Sequence, residues 1–236
     1  MKNLFINSVT MLTLFTLIIS CAKEKTDWSV KSPSENIQFN IVLSETNQLM
    51  YNVALIEQGV EKQVIANSPL GIRRADESFI QNLKFVSMDP VISIDETFSL
   101  PIGKHKIINN EVNELTINFE NENGAQIQLI VRAANDGVAF RYRFPNFDEQ
   151  LYSVEEEVTG FMIAGEGKTW MAPYDKVTMY SPGYERYFEN GIPIGTNAPD
   201  EEGWCLPALF QTENAWMLLT EAALDSTYFG MHLQSN

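Results

Sequence analysis

The stretch from Glu114 to Pro145, ELTINFENENGAQIQLIVRAANDGVAFRYRFP, decides the fold because it predicts three consecutive β-strands. Apolar residues occupy every second position of 115–119 and again of 127–131, and the polar segment ENENG (120–124) lies between the two runs. A period of two with a polar connector is typical of a β-hairpin with one buried face. The turn sequence NDG then leads into a third alternating run, 138–144, which Pro145 ends.

The same pattern recurs on both sides of this stretch. Residues 37–43 and 49–55 alternate around the connector SETNQ and predict a hairpin, and residues 216–221 predict another strand. No window longer than about ten residues has the spacing of an amphipathic helix. Residues 172–207, rich in Tyr, Gly, Pro and carboxylates without alternation, predict long loops. We therefore expect one all-β domain of antiparallel sheets packed face to face.

The N-terminus predicts export. Lys2 precedes an apolar run from about Leu4 to Ile19, which is too short for a membrane-spanning stop-transfer helix. The run ends in Ile-Ile-Ser-Cys, which resembles a bacterial lipobox with Cys21 as the acylated residue; a plain secretory peptide is the alternative. These features predict a signal peptide (1–21), a polar tether (22–30) and a folded domain (31–236), lipid-anchored in the periplasm or at the outer membrane.

Charge and residue counts exclude several kinds of site. The chain has 31 acidic and 16 basic residues and a net charge of −15, which opposes binding to nucleic acid. It lacks a GxSxG elbow, an HExxH motif and a cysteine pair suited to zinc. We interpret His105 and His232 as structural, and Cys205 as a small core side chain.

Carboxylates remain as candidates for chemistry. Glycoside hydrolysis uses two of them across the scissile bond, and acidic oxygens also suit calcium. Glu185, in GYERYF, and Glu221, in LLTEAAL, are the candidates. The alternative for Glu221 is a buried hydrogen-bond acceptor that ties a loop. The runs 155–157 and 200–202 are interpreted as solvated surface, because clustered like charges repel when desolvated.

Aromatic residues crowd the predicted loop region: Tyr174, Tyr180, Tyr184, Tyr187, Phe188 and Trp204. Flat rings of this kind could stack on sugar faces. They could equally form a small core beneath the loops. The residues alone leave both interpretations open.

Several segments together resemble the N-terminal domain of glycoside hydrolase family 97, the α-glucosidases and α-galactosidases of Bacteroidota. They are SPSENIQFNI, SPLGIR, VNELTINFEN, RAANDGVAFRYRFP and TEAALDSTYFGMHL. The resemblance implies an antiparallel β-super-sandwich, similar to galactose mutarotase, that precedes a catalytic (β/α)₈ barrel. It also implies that the catalytic residues lie outside this chain, so no catalytic residue is assigned here.

The resemblance also implies candidate site residues. The family's YEY segment is similar to residues 184–187, which makes Glu185 the metal candidate, with calcium bound only when barrel carboxylates complete the site. The family's HEAAL is similar to residues 220–224 and makes Glu221 a substrate-binding candidate. Gly195, Thr196 and Asn197 fall where the family's sugar-contacting loop lies. Two departures from the family accompany these matches: the extra stretch KVTMYSPG before Tyr184, and threonine in place of the histidine of HEAAL.

Three hypotheses follow. In the first, the chain forms one wall of a pocket for α-linked glucosides or galactosides, separated from a barrel encoded in the same gene or a separate chain, and is not catalytic alone. In the second, it is a free-standing carbohydrate-binding lipoprotein. In the third, it hydrolyses glycosides itself through Glu185, Glu221 or another pair. The first predicts exposed apolar surface where the barrel would dock.

Overall fold

The computed structural model describes residues 26–146, 150–176, 178–179, 186–226, 228 and 230–235, and its regular structure in these ranges is β-strand throughout. The strands are β1 (Asp27–Lys31), β2 (Ile37–Leu43), β3 (Leu49–Glu57), β4 (Val60–Pro69), β5 (Ile72–Arg74), β6 (Lys84–Met88), β7 (Ile92–Ser99), β8 (Ile107–Glu120), β9 (Gln126–Ala134), β10 (Gly137–Arg143), β11 (Val154–Glu157), β12 (Gly167–Met171), β13 (Glu189–Pro193), β14 (Trp204–Cys205), β15 (Ala208–Thr212), β16 (Trp216–Leu219) and β17 (His232–Leu233). Their pairings are antiparallel, so the all-β prediction is confirmed. The described ranges contain no helix that could serve as a membrane span.

Two packed sheets form the main body. The first has the order β1-β2-β3-β4, and the second has the order β10-β9-β8-β6 with β7 also paired to β8. The predicted hairpins are confirmed: Ile37 pairs with Leu55 in the first sheet, and Leu115 pairs with Val131 in the second. The alternation in the sequence therefore set the register, because a slip of one residue would turn each apolar set toward water.

The domain begins before the predicted boundary. Residues 27–31 form β1, which pairs with β2, and Trp28 and Val30 are only 4% and 3% exposed. The predicted tether (22–30) is therefore wrong at its end. Two alternating apolar residues in five are too few to stand out from a polar tether in the sequence. Partners on β6 and β8 bury Trp28, which stacks on Phe85 at 4.9 Å and meets Phe119 edge-on at 5.5 Å.

The core between the two sheets is apolar and aromatic. Phe39, Leu115 and Phe119 are fully buried, and burial of each such side chain contributes roughly 1.5–3 kcal/mol. Phe39 stacks on Tyr51 with ring centroids 5.1 Å apart, and Phe140 of the facing sheet contacts both rings at 5.8 and 5.3 Å. This packing fixes the second sheet against the first.

A two-stranded ribbon extends from the second sheet. Residues 107–111 of β8 pair with β7, whereas β9 and β6 join β8 only from Val112 and Ile117 onward. The ribbon ends in the loop 100–106, where Ile102 is 86% exposed. His105 lies in this loop, exposed and two residues before β8 begins.

A third sheet, with the order β13-β12-β15-β16, covers a smaller core of Met171, Trp204, Ala208 and Phe210. The predicted strand 216–221 is confirmed for β16 but ends at Leu219. The predicted loop region 172–207 is partly wrong because it contains β13 and β14. Both are short, and a two-residue strand leaves no alternation to detect.

Candidate functional site

Three loop segments meet at the last described strand. We define the loop cluster as residues 172–175, 194–198, 203–205 and 231–235. Within the loop cluster, β14 pairs with β17, and Tyr174 stacks on His232 with ring centroids 4.2 Å apart. The Ala198 N–H donates to Ser235 Oγ at 3.2 Å. The segment 231–235 therefore holds the other three in place.

Gly203 allows this close approach. Its φ is +85°, and a Cβ built on it would lie 2.0 Å from the Leu233 carbonyl oxygen. Its own carbonyl accepts from the Tyr174 N–H at 2.8 Å. Glycine is required here both by the left-handed backbone and by the neighbouring carbonyl.

The predicted sugar-contacting residues Gly195, Thr196 and Asn197 lie in the exposed turn that follows β13. Gly195 has a φ of +84° with open space around it. The Thr196 N–H and hydroxyl both donate to the Pro193 carbonyl, at 3.2 and 2.6 Å. Gly195 and Asn197 are exposed at the surface of the loop cluster, where they are accessible to a ligand.

Glu221 has the loop-tying contact that the sequence offered as an alternative. It is half-buried, and its Oε2 accepts from the Met231 N–H at 3.0 Å, ten residues further along the chain. The carboxylate therefore fixes the segment that enters β17 and holds the loop cluster. Among the described candidates, Glu221 and the 194–198 turn both bond to residues 231–235.

Glu157 differs from its two neighbours, which corrects the interpretation of 155–157 as solvated surface. Glu155 and Glu156 pair with Arg73 at 2.9 and 2.8 Å on the surface, whereas Glu157 is half-buried. Burial raises the pKa of Glu157, and the charge of Glu221 raises it further, against the opposing effect of a hydrogen bond from Thr159. A three-residue acidic run in sequence did not show that its last member turns inward.

A directional chain of hydrogen bonds ends on Glu157. The Gly71 N–H donates to Tyr142 Oη at 2.9 Å, Tyr142 Oη lies 2.8 Å from Thr159 Oγ1, and Thr159 donates to Glu157 Oε1 at 2.7 Å. Because the Thr159 proton goes to the carboxylate, Tyr142 must donate to Thr159. Burial also raises the pKa of Tyr142 well above its usual value. This series of hydrogen bonds joins the β5–β11 strand pair to β10 of the second sheet.

We expect Glu157→Gln to change how stability depends on pH. The raised folded-state pKa means that folding takes up a proton between the ordinary value of 4.5 and the raised value, so wild-type stability falls as pH rises through that window. The variant lacks this titration, while its amide oxygen still accepts from Thr159. Its stability relative to wild type should therefore increase with pH across the window.

Urea unfolding at a series of pH values from acid to neutral measures this effect. Glu201→Gln, at an exposed position, makes the same charge change and serves as the control. Parallel pH profiles of wild type and Glu157→Gln would contradict the assignment.

The aromatic residues of the loop region divide between the two interpretations. Trp204 is 3% exposed and belongs to the smaller core, whereas Tyr187 and Phe188 are 93% and 50% exposed. Tyr180 and Tyr184 lie outside the described residues. Core and surface aromatics have the same appearance in sequence, so only their packing distinguishes them.

Cys205 is less buried than the predicted core side chain and is not among the buried residues of the smaller core. It is half-buried, and its thiol donates to the Pro173 carbonyl at 3.5 Å. Burial, followed by the charge of Asp175, raises its pKa. A raised pKa keeps the thiol protonated and unreactive.

The described part of the chain contains no complete set of metal ligands. There, no group of three or more His, Cys, Asp or Glu side chains could hold an ion. The metal candidate Glu185 and the lipidation candidate Cys21 both lie outside the described residues. Calcium prefers six to eight oxygens, so the described residues by themselves do not fit a calcium site.

Comparison with known proteins identifies relatives of this fold. A family model described as glycosyl-hydrolase 97 N-terminal matches residues 30–236. A curated probable retaining alpha-galactosidase from Streptomyces bingchenggensis (strain BCW-1) is 26% identical over 232 residues, which are 98% of this chain and 34% of that protein. The chain thus spans about a third of this relative.

Solved structures agree with the family match. A crystal structure of a beta-arabinopyranosidase is 28% identical, with a TM-score of 0.81 over 89% of this chain and 33% of that one. A family 97 enzyme from Pseudoalteromonas sp. strain K8 in complex with panose is 21% identical, with a TM-score of 0.62 over 79% of this chain and 27% of that one, and supports the fold. Because the family model covers more than half of its residues, this chain belongs to glycoside hydrolase family 97, of which it carries the N-terminal domain.

Proposed function

We propose that this chain is the pocket-forming N-terminal sandwich of a family 97 glycosidase and does not hydrolyse glycosides alone. The observation that carries the proposal is the family match over residues 30–236 in a chain that spans about a third of its relatives. The loop cluster, with Gly195 and Asn197 exposed, is the proposed wall of the sugar pocket. One relative is described as an alpha-galactosidase, and another was solved in complex with panose and with acarbose. These descriptions support α-linked galactosides or glucosides as the substrate class.

The carboxylates of the described residues argue against independent hydrolysis. Glu221 is close enough to Glu157 for its charge to raise the pKa of Glu157. Each accepts a hydrogen bond within the fold, from Thr159 and from the Met231 N–H. A glycosidase needs one carboxyl group to protonate the leaving group and another to act on the opposite side of the sugar ring. Both members of this pair instead hold strands and loops.

The calcium and membrane proposals rest on the sequence. Glu185 would supply one oxygen to a calcium ion whose remaining ligands come from the barrel, and an ion held by one carboxylate alone would be weakly bound. Cys21 would carry the lipid that holds the exported domain at the periplasmic or outer membrane. The net charge of −15 opposes a nucleic-acid partner.

Joining the chain to a barrel tests the proposal. We expect a fusion to the part of the Streptomyces relative that the match does not cover to hydrolyse p-nitrophenyl α-galactoside. The chain alone should not, with or without calcium chloride. In the fusion, Glu185→Gln should raise the calcium concentration needed for half-maximal activity, because the variant lacks one calcium ligand. Turnover by the chain alone that is lost in Glu157→Gln or Glu221→Gln would contradict the proposal.

A free-standing carbohydrate-binding lipoprotein is the second candidate. The exposure of Tyr187 and Phe188 beside β13 favours it, because rings of this kind can stack on sugars without a barrel. Saturable glycan binding by the chain that is lost in Tyr187→Ala would support this second candidate over the first.

A further inference from the structure

The third sheet has an outer face that the rest of the described chain leaves uncovered. Its inner face packs Met171 and Phe210 into the smaller core. On the outer face, Trp216 and Leu218 are 60% and 62% exposed, and Trp170 is half-buried. Large apolar side chains that form one exposed patch mark a binding surface, whereas single exposed apolar residues are common on any protein.

Two indole rings form a stack on this face. Trp170 on β12 and Trp216 on β16 are separated by β15, a gap of about 10 Å between strand axes. Their ring centroids nevertheless lie only 5.2 Å apart, with 27° between the planes. The rings therefore reach toward each other across the intervening strand, whose half-buried Leu209 and Gln211 lie on the same face.

The stack is supported on one side and open on the other. Gly191 of β13 backs Trp170, since a Cβ at Gly191 would lie 3.6 Å from that indole ring. Trp216 lies on the edge strand of the sheet and keeps most of its surface in water. A ring held in place by a second ring loses little conformational freedom when a ligand covers it.

Charge excludes some classes of ligand from the stacked Trp170 and Trp216 rings. Nucleobases also stack on aromatic rings, but the net charge of −15 repels their phosphates. Cations are attracted to indole faces, but Lys168 lies on the same face, paired with Gln211 in the neighbouring strand. A neutral ring with an apolar C–H face and peripheral hydroxyls suits both the indole and the polar side chains of Lys168 and Gln211.

We propose that the Trp170–Trp216 platform binds the flat face of a pyranose ring in a neutral glycan, at a site separate from the loop cluster. The indole takes the C–H face of the sugar, and Lys168 and Gln211 hydrogen-bond its hydroxyls. The four side chains named for the site all lie on one face of the third sheet.

Calorimetric titration of the full chain with maltohexaose and with an α-galacto-oligosaccharide tests this site. We expect saturable binding of at least one of them, and Trp216→Ala should weaken it by about tenfold or more. Trp216→Tyr should retain most of the affinity because it keeps an aromatic face. Phe98→Ala, which removes an exposed aromatic side chain from the ribbon, is the matched control and should bind like wild type. The melting temperature of each variant checks that the fold is intact.

Three results would overturn the proposal. The first is no saturable heat with either glycan, and the second is equal affinity in Trp216→Ala and wild type. The third is concentration-dependent association in sedimentation velocity that Trp216→Ala abolishes without any glycan binding. That result would assign the face to a contact between copies of the chain.

Discussion

Gly203→Ala should greatly destabilise the loop cluster. The new methyl group would meet the Leu233 carbonyl oxygen at 2.0 Å, and the residue would have to keep a φ of +85°. Left-handed backbone costs a non-glycine residue about 1–2 kcal/mol, and overpacking adds about 1–3 kcal/mol. Chemical denaturation should therefore show a loss of about 2–5 kcal/mol in the free energy of unfolding.

Gly195→Ala separates the two causes. Its φ of +84° matches that of Gly203, but open space surrounds it. It should therefore show the backbone cost alone, about 1–2 kcal/mol. Equal losses in the two variants would contradict the claim that the close approach to β17 holds the loop cluster.

Cys21→Ser should move the protein almost completely from the detergent phase to the aqueous phase in Triton X-114 partitioning of expressing bacteria. The reason is that acyl chains on this residue would supply the membrane affinity, at about 0.8 kcal/mol per buried CH₂ group. Labelling with a fatty-acid probe should disappear in the same variant.

Cys205→Ser is the matched control for that experiment. It removes the other cysteine of the chain, which is half-buried and hydrogen-bonded inside the loop cluster. It should leave both partitioning and labelling unchanged. A wild-type protein that stays in the aqueous phase would refute the lipid anchor.

The sequence predicted those parts of the fold whose burial alternates along a single strand. Residues 37–43 are buried at every second position in the structure, as the sequence pattern required. The hairpin between β8 and β9 followed for the same reason, since Ile117 pairs with Leu129 across it. Here the local pattern and the tertiary packing carry the same information.

The remaining features depend on contacts between distant segments. Thr159 and Tyr142 determine the environment of Glu157, and the pairing of Trp170 with Trp216 requires an intervening strand. Neither relation leaves a periodic signal in the sequence. Glu221 is intermediate: its place after an apolar strand suggested a loop-tying acceptor, and the structure supplied the partner, the Met231 N–H.

The ribbon extends the second sheet past the end of the N-terminal strand β1. β1 runs from Trp28, which touches Phe119, to Lys31, whose carbonyl accepts from Asn113 Nδ2 at 2.9 Å. From Asn113 the ribbon continues the same way for six residues, about 20 Å, past the end of β1. A chain anchored through Cys21, as proposed, would enter the domain at the end opposite the loop 100–106. The exposed Ile102 and the neighbouring Lys104 and Lys106 would then be the part of this sheet farthest from that entry point.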